Sequence, residues 1–236
     1  MKSIPIEDFM VLDIETAAAC SSYEEMEEGW QQLWFEKVKR QLPEDENAAM
    51  YYQHRAGVMA EFGKVICICI GRFAGEDNSK LETTLFYGND EKVLLSDFIN
   101  AIKGLNESKL VIAGHNIKEF DIPFLCRRML VNNIEIPACM NFQNSKPWES
   151  KLFDTFQYWR FGDYKNFTSL KLLAKTLNVP SSKDDIDGSM VGALYWESNA
   201  LQQELNMIRI ADYCRKDVIA TANIILTLLH KKKLPN

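Results

Sequence analysis

The chain has 236 residues, 47% of them hydrophobic and 25% charged, so it can bury a core without disulfides or a structural metal. A net charge of −6 argues against a protein that coats nucleic acid with a broad basic surface, but not against one that binds phosphate through divalent cations. The six cysteines lack zinc or disulfide spacing and no apolar run has the length of a membrane helix, so we predict a cytoplasmic protein without a membrane partner.

The first predicted strand, 9–15, ends in two carboxylates, Asp13 and Glu15. Side chains two residues apart on a strand point to the same face, and the apolar neighbours of this pair indicate a buried strand. Like charges repel and burial penalises each of them, whereas a bound cation that prefers oxygen ligands removes both costs. The alternative is a solvated strand end.

The segment 17–60 has the periodicity of helices rather than of strands. Ser22 and Glu25 have the spacing of a capping box before a first helix, and a second helix is predicted over 48–60. We therefore expect a helical insertion directly after the first strand.

The rest of the chain alternates strands and helices, with further strands predicted at 65–73, 81–87, 109–113 and 151–155. The early strands are joined by short links, which favours antiparallel pairing, and the later ones alternate with helices, which favours parallel crossovers. No linker divides the sequence. We predict a single α/β domain, 1–236, with a mixed five-stranded sheet flanked by helices and the insertion at 17–60.

The third region of interest follows the strand at 109–113, where His115 and Asn116 come first and Asp121 lies two residues before Pro123. Ligands of open α/β sheets bind at the carboxyl ends of strands, so these side chains are candidates for a site. Asp121 has an alternative role as a helix N-cap, because aspartate is favoured there and proline in the first turn.

The last predicted helix, 206–229, places Tyr213 and Asp217 one turn apart on the same face. A tyrosine hydroxyl beside a carboxylate can orient a water molecule, although a tyrosine at the helix boundary and a solvated aspartate would look the same. The apolar face of this helix is expected to consist of Ile208, Ala211, Ile219, Ala222 and Leu226.

Each motif is weak alone, but their order and spacing resemble the DEDD superfamily of 3′–5′ exonucleases. The resemblance is greatest to stand-alone bacterial proteins predicted to be related to the proofreading exonuclease domain of family B DNA polymerases, and it extends from residue 9 to about 228. Tyr213 matches the tyrosine subclass, since the histidine position of the other subclass is Asp212. The matching residues are Asp13, Glu15 and Thr16, then His115, Asn116, Phe120 and Asp121, then Tyr213 and Asp217.

The resemblance implies a ribonuclease H-like fold and a metal-dependent phosphodiester hydrolase. Its metal ligands would be Asp13, Glu15, Asp121 and Asp217, holding two divalent cations, Mg²⁺ or Mn²⁺, with Tyr213 positioning the attacking water. The substrate would be nucleic acid with a free 3′ end, with single-stranded DNA favoured and RNA possible, degraded to nucleoside 5′-monophosphates. The substrate-binding residues would be Thr16, His115, Asn116 and Phe120.

Two alternative functions stay open, an endonuclease of the same fold and a catalytically silent module that binds nucleic acid or a partner protein. The insertion could be a lid, a strand guide or a partner surface. Its Trp30 and Trp34 lie four residues apart and could either stack on bases or pack the insertion against the sheet. Asp154 lies on the late strand and could face the site from outside the ligand set, although we do not favour this role. No polymerase segment is recognisable, so we do not expect proofreading in cis.

Overall fold

The computed structural model describes residues 4–75, 77–105, 108–143, 146, 150–180 and 186–235. Within these ranges the strands form one five-stranded sheet in the order β3-β2-β1-β4-β5. β1 pairs antiparallel with β2 and β2 with β3, whereas β4 pairs parallel with β1 and with β5. The predicted mixed five-stranded α/β sheet is confirmed. Its strands are β1 (Phe9–Ala18), β2 (Gly63–Ala74), β3 (Lys80–Tyr87), β4 (Val111–Gly114) and β5 (Leu152–Asp154).

Helices flank the sheet, as predicted. α5 has only five residues and was not predicted, since so short a segment shows no periodicity. The last helix begins at Ala200 rather than at 206 because the Asn199 side chain accepts a hydrogen bond from the Gln202 N–H and caps it. The helices are α1 (Glu28–Val38), α2 (Ala48–Arg55), α3 (Glu91–Ile102), α4 (Asp121–Val131), α5 (Thr155–Trp159), α6 (Leu170–Thr176), α7 (Val191–Tyr195) and α8 (Ala200–Leu228), with 3-10 turns at Ile6–Asp8 and Ala56–Val58.

The central strand β1 separates two cores because its side chains alternate. Met10, Leu12 and Ile14 pack with residues of α3 and α4 on one face of the sheet. Phe9 and Val11 pack with α7 and α8 on the other. By the same alternation Asp13 and Glu15 lie on the face that α8 covers.

α8 lies close to the sheet because glycine leaves room for it. A Cβ at Gly71 on β2 would be 2.7 Å from Cγ1 of Val218, next to Asp217. The predicted apolar face of this helix is partly wrong, since Ile208 and Ile219 are exposed. Ala211, Ala222 and Leu226 are buried as predicted. The full buried stripe consists of Met207, Ile210, Ala211, Cys214, Val218, Ala222, Ile225 and Leu226.

The insertion begins later than predicted because β1 continues to Ala18. The capping box of Ser22 and Glu25 is wrong, since both lie in a turn and α1 starts at Glu28 without a side-chain cap. The Gln31 side chain fixes this turn from within the helix, donating hydrogen bonds to the Tyr23 carbonyl at 3.2 Å and the Met26 carbonyl at 2.9 Å.

The insertion has a small core of its own, centred on Trp34. This indole is fully buried, donates to the Ala48 carbonyl at 2.8 Å and packs edge-on against Tyr52 and Phe62. Trp34 therefore packs the insertion and does not face a ligand. Trp30 is half exposed and contacts Phe62 with its edge. None of the helices within the described ranges combines the length and hydropathy of a membrane span.

Candidate active site

Asp13 and Glu15 lie in the middle of β1, and their side chains enter the space beneath α8. The pairing of β1 with β2 shifts register between Glu15 and Thr16, opposite Cys67 and Val65. Such bulges often redirect side chains next to functional sites. Glu15 is buried and Asp13 retains some exposure.

Asp121 approaches the same point from the first turn of α4. It is buried, and its carboxylate accepts hydrogen bonds from its own backbone N–H and from that of Ile14 on β1. The N-cap of α4 is Phe120, without a side-chain capping bond, so Asp121 does not take the alternative role of an N-cap.

α8 supplies the fourth carboxylate and the tyrosine. The Tyr213 hydroxyl is hydrogen-bonded to Asp217 and lies within electrostatic range of Glu15 and Asp13. Asp212 is paired instead with Arg215 and with Lys216, the latter at 2.7 Å. The helix thus directs Tyr213 and Asp217 toward Asp13 and Glu15, and Asp212 toward two basic side chains of the same helix.

The structure therefore brings four predicted carboxylates together, and we call Asp13, Glu15, Asp121 and Asp217 the carboxylate cluster. Burial, followed by repulsion from the other members, raises the pKa of Asp13 and of Glu15 well above their usual range. Burial raises the pKa of Asp121 to about 7. The pKa of the Tyr213 hydroxyl is also raised, by burial and by the nearby carboxylates, so it stays protonated.

Cys214 is a neighbour of the cluster that the sequence did not single out. Its thiol donates to the backbone carbonyl of Asp13 at 3.4 Å, and its sulfur and the carboxylate oxygens of Asp13 and Glu15 lie within 4.8 Å of one another. A cysteine on the buried side of a helix looks like a small hydrophobic residue, so no sequence signal distinguished it.

The chemistry of this donor set fits divalent cations. Four carboxylates supply only oxygen ligands, which Mg²⁺ and Mn²⁺ prefer. The raised pKa values of Asp13 and Glu15 reflect burial and the like charges around them, and bound cations would remove that repulsion. Asp13, Glu15, Asp121 and Asp217 are therefore the residues that could hold a metal.

A cleft of about 620 Å³ opens beside Glu15 and Thr16. Phe120 lines it too, so two of the predicted substrate-binding residues face this space. Two groups of lining residues were not predicted, because sequence spacing does not show which distant segments meet. They are Gln53, His54, Arg55, Gly57 and Val58 from the insertion, and Gly188, Ser189, Gly192, Ala193 and Trp196 around α7.

Asn116 is held in a strained turn by Asp154. Its φ is +61°, in the left-handed region, and its N–H donates to the Asp154 carboxylate at 3.0 Å. Asp154 also accepts from the N–H groups of Lys118, Phe156 and Gln157. The Asn116 Oδ1 is buried and has no hydrogen-bond partner among the described residues. Asp154 thus shapes a turn that presents an unused amide oxygen.

His115 is engaged in the same turn through both ring nitrogens. Nε2 lies 2.9 Å from the Thr168 carbonyl, which can only accept, so Nε2 carries the proton. Nδ1 lies 2.9 Å from the Thr155 hydroxyl, and burial lowers the pKa of the ring. With both nitrogens occupied, the geometry favours an anchoring role for His115 over direct contact with a substrate.

Comparison with known proteins decides the family. Residues 58–233 match the family described as predicted 3′–5′ exonucleases related to the exonuclease domain of PolB. The chain belongs to this family. The matched range includes Asp121, Tyr213 and Asp217 and begins after β1. No curated protein sequence matches the chain at a significant level.

Among solved structures, the family B DNA polymerase of the hyperthermophilic archaeon Pyrobaculum calidifontis is similar in fold. The superposition has a TM-score of 0.53 at 14% sequence identity, and it covers 94% of this chain but 27% of the polymerase. At this identity the likeness concerns the fold alone. The exonuclease-family member described here therefore has the predicted ribonuclease H-like fold.

Proposed function

We propose that this protein is a metal-dependent 3′–5′ exonuclease that removes nucleotides from single-stranded nucleic acid, with DNA as the favoured substrate. The observation that carries the proposal is the carboxylate cluster, in which Asp13, Glu15, Asp121 and Asp217 converge beside a cleft with Tyr213 bonded to one of them. A binding module has no need for buried like charges, which destabilise a fold. Membership in a family of predicted exonucleases supports the same activity.

The cluster would hold two divalent cations, Mg²⁺ or Mn²⁺. When bound, these would supply Lewis acidity at the phosphate and stabilise the developing negative charge. The chain's own contribution is to fix the oxygen ligands in a rigid frame of β1, α4 and α8 before the substrate arrives.

Tyr213 would orient the attacking water. Its hydroxyl proton is donated to Asp217, so the lone pairs of its oxygen are free to accept a hydrogen bond from that water. Because its raised pKa keeps the tyrosine protonated, no phenolate is available to act as a base, which favours an orienting role. Water would attack phosphorus, the bond to the 3′ oxygen would break, and that oxygen would take a proton. The products are a nucleoside 5′-monophosphate and a strand with a new 3′ hydroxyl.

The terminal nucleotide would occupy the cleft. Thr16 and Phe120 line it and could contribute a hydroxyl and an aromatic face. Asn116 could contribute its unused Oδ1, and His115 would hold the turn that contains Asn116 in place. Arg55, from the insertion, would bring a positive charge to the cleft where a phosphate could lie.

Several finer features stay predictions, namely the cytoplasmic location, the extent of the domain over 1–236 and the preference for DNA over RNA. The proposed partner is a nucleic acid with a free 3′ end, and RNA remains the second substrate to test. Selection between them depends on contacts near the 2′ position.

The test is a time course with 5′-labelled single-stranded DNA and RNA of the same sequence, with Mg²⁺, Mn²⁺ or EDTA. We expect a ladder that shortens from the 3′ end only with metal, and nucleoside 5′-monophosphates on chromatography. A block at the 3′ hydroxyl should stop the reaction. Internal cuts that ignore the block would show an endonuclease, and intact substrate under every metal condition would favour the silent module.

A further inference from the structure

The loop between α5 and α6 exposes large aromatic side chains. Phe161, Tyr164 and Phe167 have 86%, 77% and 67% of their surface in solvent. Phe161 also adopts a positive φ of +45°, which is unusual for a bulky residue, with Gly162 following at +86°. Exposure and strain both oppose folding, so this arrangement indicates a function outside the folded core. We call residues 158–167 the aromatic loop.

The rings of the aromatic loop are fixed in place although they are exposed. The Arg160 guanidinium lies over the Tyr164 ring, 4.1 Å from its centroid. Phe161 contacts Tyr158 edge-on at 6.4 Å, and Phe167 packs against Phe156 at 5.1 Å. Rings held in this way lose little conformational entropy on binding a planar group.

The loop and α6 form a basic region in an acidic protein. Residues 155–176 contain four basic side chains against one acidic, Asp163, whereas the whole chain carries a net charge of −6. Exposed aromatic rings interleaved with cations are the surface that single-stranded nucleic acids bind, because bases stack on the rings and phosphates pair with the cations. The basic residues are Arg160, Lys165, Lys171 and Lys175.

Two contacts connect the aromatic loop to the candidate active site. The carbonyl of Thr168, the residue directly after the loop, accepts a hydrogen bond from His115, next to Asn116. Arg160 is 3.8 Å from Glu119, which directly precedes Phe120 and Asp121. The loop therefore borders the turn that presents the predicted substrate-binding residues.

We propose that the aromatic loop is a stacking platform for the single-stranded segment that precedes the 3′-terminal nucleotide. Bases would stack on Phe161 and Tyr164, and the exposed Lys165 would neutralise a phosphate beside them. This inference rests on the proposed function, since it assigns the loop to the substrate of the same site. It predicts that the loop contributes to binding long substrates and not to hydrolysis of a dinucleotide.

Binding is measured by fluorescence anisotropy in EDTA, with a labelled thymidine oligomer of roughly 12 nucleotides, close to the site sizes of single-strand binders. Phe161→Asn removes the ring but keeps a residue that tolerates positive φ, and Tyr164→Leu keeps apolar bulk. We expect the double variant to weaken binding at least about tenfold, because each stacked base contributes about fivefold or more. The single variant Phe161→Trp should keep the affinity for the oligomer that Phe161→Asn loses, because it retains an aromatic ring at this position.

Tyr87→Leu is the matched control, because Tyr87 is half exposed on β3 at the opposite edge of the sheet from β5. It should bind the oligomer like the unmodified protein. With Mg²⁺, the double variant should hydrolyse a dinucleotide at the normal rate and lose kcat/KM on the longer oligomer.

Unchanged oligomer affinity in the folded double variant would overturn the platform and point to a protein partner for the loop. An equal loss for the dinucleotide and the oligomer would also overturn it, since the loop would then act at the terminal nucleotide. If the unmodified protein has no exonuclease activity, the proposed function fails, while the anisotropy comparison still decides whether the loop binds single strands.

Discussion

Two groups of buried charges lie on opposite faces of the sheet, and they differ in how their charge is balanced. Glu91 of α3 and Arg128 of α4 form a buried ion pair, with Nη2 2.6 Å from Oε2 and Nε 2.9 Å from Oε1. Val65 N–H and the Asn132 side chain donate to the same carboxylate, and the Ala60 carbonyl accepts from Arg128. The charges of this pair are balanced and its hydrogen bonds join three elements.

In the carboxylate cluster, beneath α8, like charges meet instead. Asp13 and Glu15 face each other and Asp217, and the pKa of each is raised by burial and repulsion. A fold gains nothing from charges arranged in this way. A buried charge paired with its opposite, such as Glu91 with Arg128, indicates architecture, whereas buried carboxylates that repel one another indicate a site that a ligand of opposite charge completes.

The largest expected effect comes from removing one member of the cluster. Asp217→Asn should lower kcat/KM at least about a thousandfold, because a lost metal ligand removes several kcal/mol of transition-state stabilisation. Asp212→Asn is the matched control on the same helix, since that residue is paired with Arg215 and Lys216. Steady-state kinetics on labelled single-stranded DNA provide the measurement, and near-normal activity of Asp217→Asn would refute the assignment of the cluster.

Breaking the compensated pair should affect stability instead. Arg128→Met leaves Glu91 buried without its cation, so we expect the free energy of unfolding to fall by about 3–5 kcal/mol, with turnover per folded molecule nearly unchanged. Urea denaturation measures the loss. The double variant Glu91→Gln with Arg128→Met should recover part of it, because the amide still accepts from Val65. If the pair contributed to catalysis, Arg128→Met would instead lower turnover and leave the free energy of unfolding nearly unchanged.

The two groups also differ in how far the sequence predicts them. Asp13 with Glu15 and Tyr213 with Asp217 follow from the strand and helix periods, which are local. Glu91 and Arg128 are 37 residues apart and have no local signal that they meet. The same holds for Arg55 and Glu15, which line the same cleft although no local pattern connects them.

The errors of prediction have local causes. Ser22 and Glu25 match a capping pattern, but the hydrogen bonds of Gln31 close that segment as a turn. The apolar face of α8 was assigned through Ile208 and Ile219, since a helix with apolar residues around much of its surface does not reveal which stripe faces the sheet. Long-range packing decides such cases.

Tyr213→Phe separates positioning from metal binding. If the hydroxyl only orients water, turnover should fall roughly ten- to a thousandfold, while Mn²⁺ affinity measured by calorimetry stays the same. A loss of Mn²⁺ affinity would mean that the tyrosine belongs to the charge balance of the cluster and not to the water.

In the metal-free protein, the cluster should also make the free energy of unfolding depend on pH. Burial raises the pKa of Asp121 to about 7 in the folded chain, against roughly 3.9 in an unfolded one. The folded state binds this proton more tightly, so the stability it contributes is present below about pH 4 and is lost as the pH rises through about 7.

Asp121→Asn cannot ionise, so in EDTA at about pH 8 we expect its Tm to exceed that of the unmodified protein by at least ~3 °C. The two Tm values should converge below about pH 4. Added Mn²⁺ should raise the Tm of the unmodified protein more than that of the variant. A variant that is less stable than the unmodified protein at about pH 8 would show that Asp121 is a structural carboxylate, like Glu91.

The smallest expected effect concerns the insertion, where two exposed arginines allow a matched test. Arg55 lines the cleft beside Glu15 and Thr16, whereas Arg40 follows α1 and does not line it. Arg55→Ala should raise KM for single-stranded DNA about fivefold with kcat nearly unchanged, because one phosphate contact at an open surface contributes roughly 1 kcal/mol equally to the ground and transition states. Arg40→Ala should leave both constants unchanged. Equal KM values for the two arginine variants would show that the insertion does not contact the substrate at its cleft face.

Trp30→Leu keeps apolar bulk against Phe62, so KM should also be unchanged in this variant if the indole ring packs the insertion. A raised KM in Trp30→Leu would instead show that the insertion contacts the substrate by stacking.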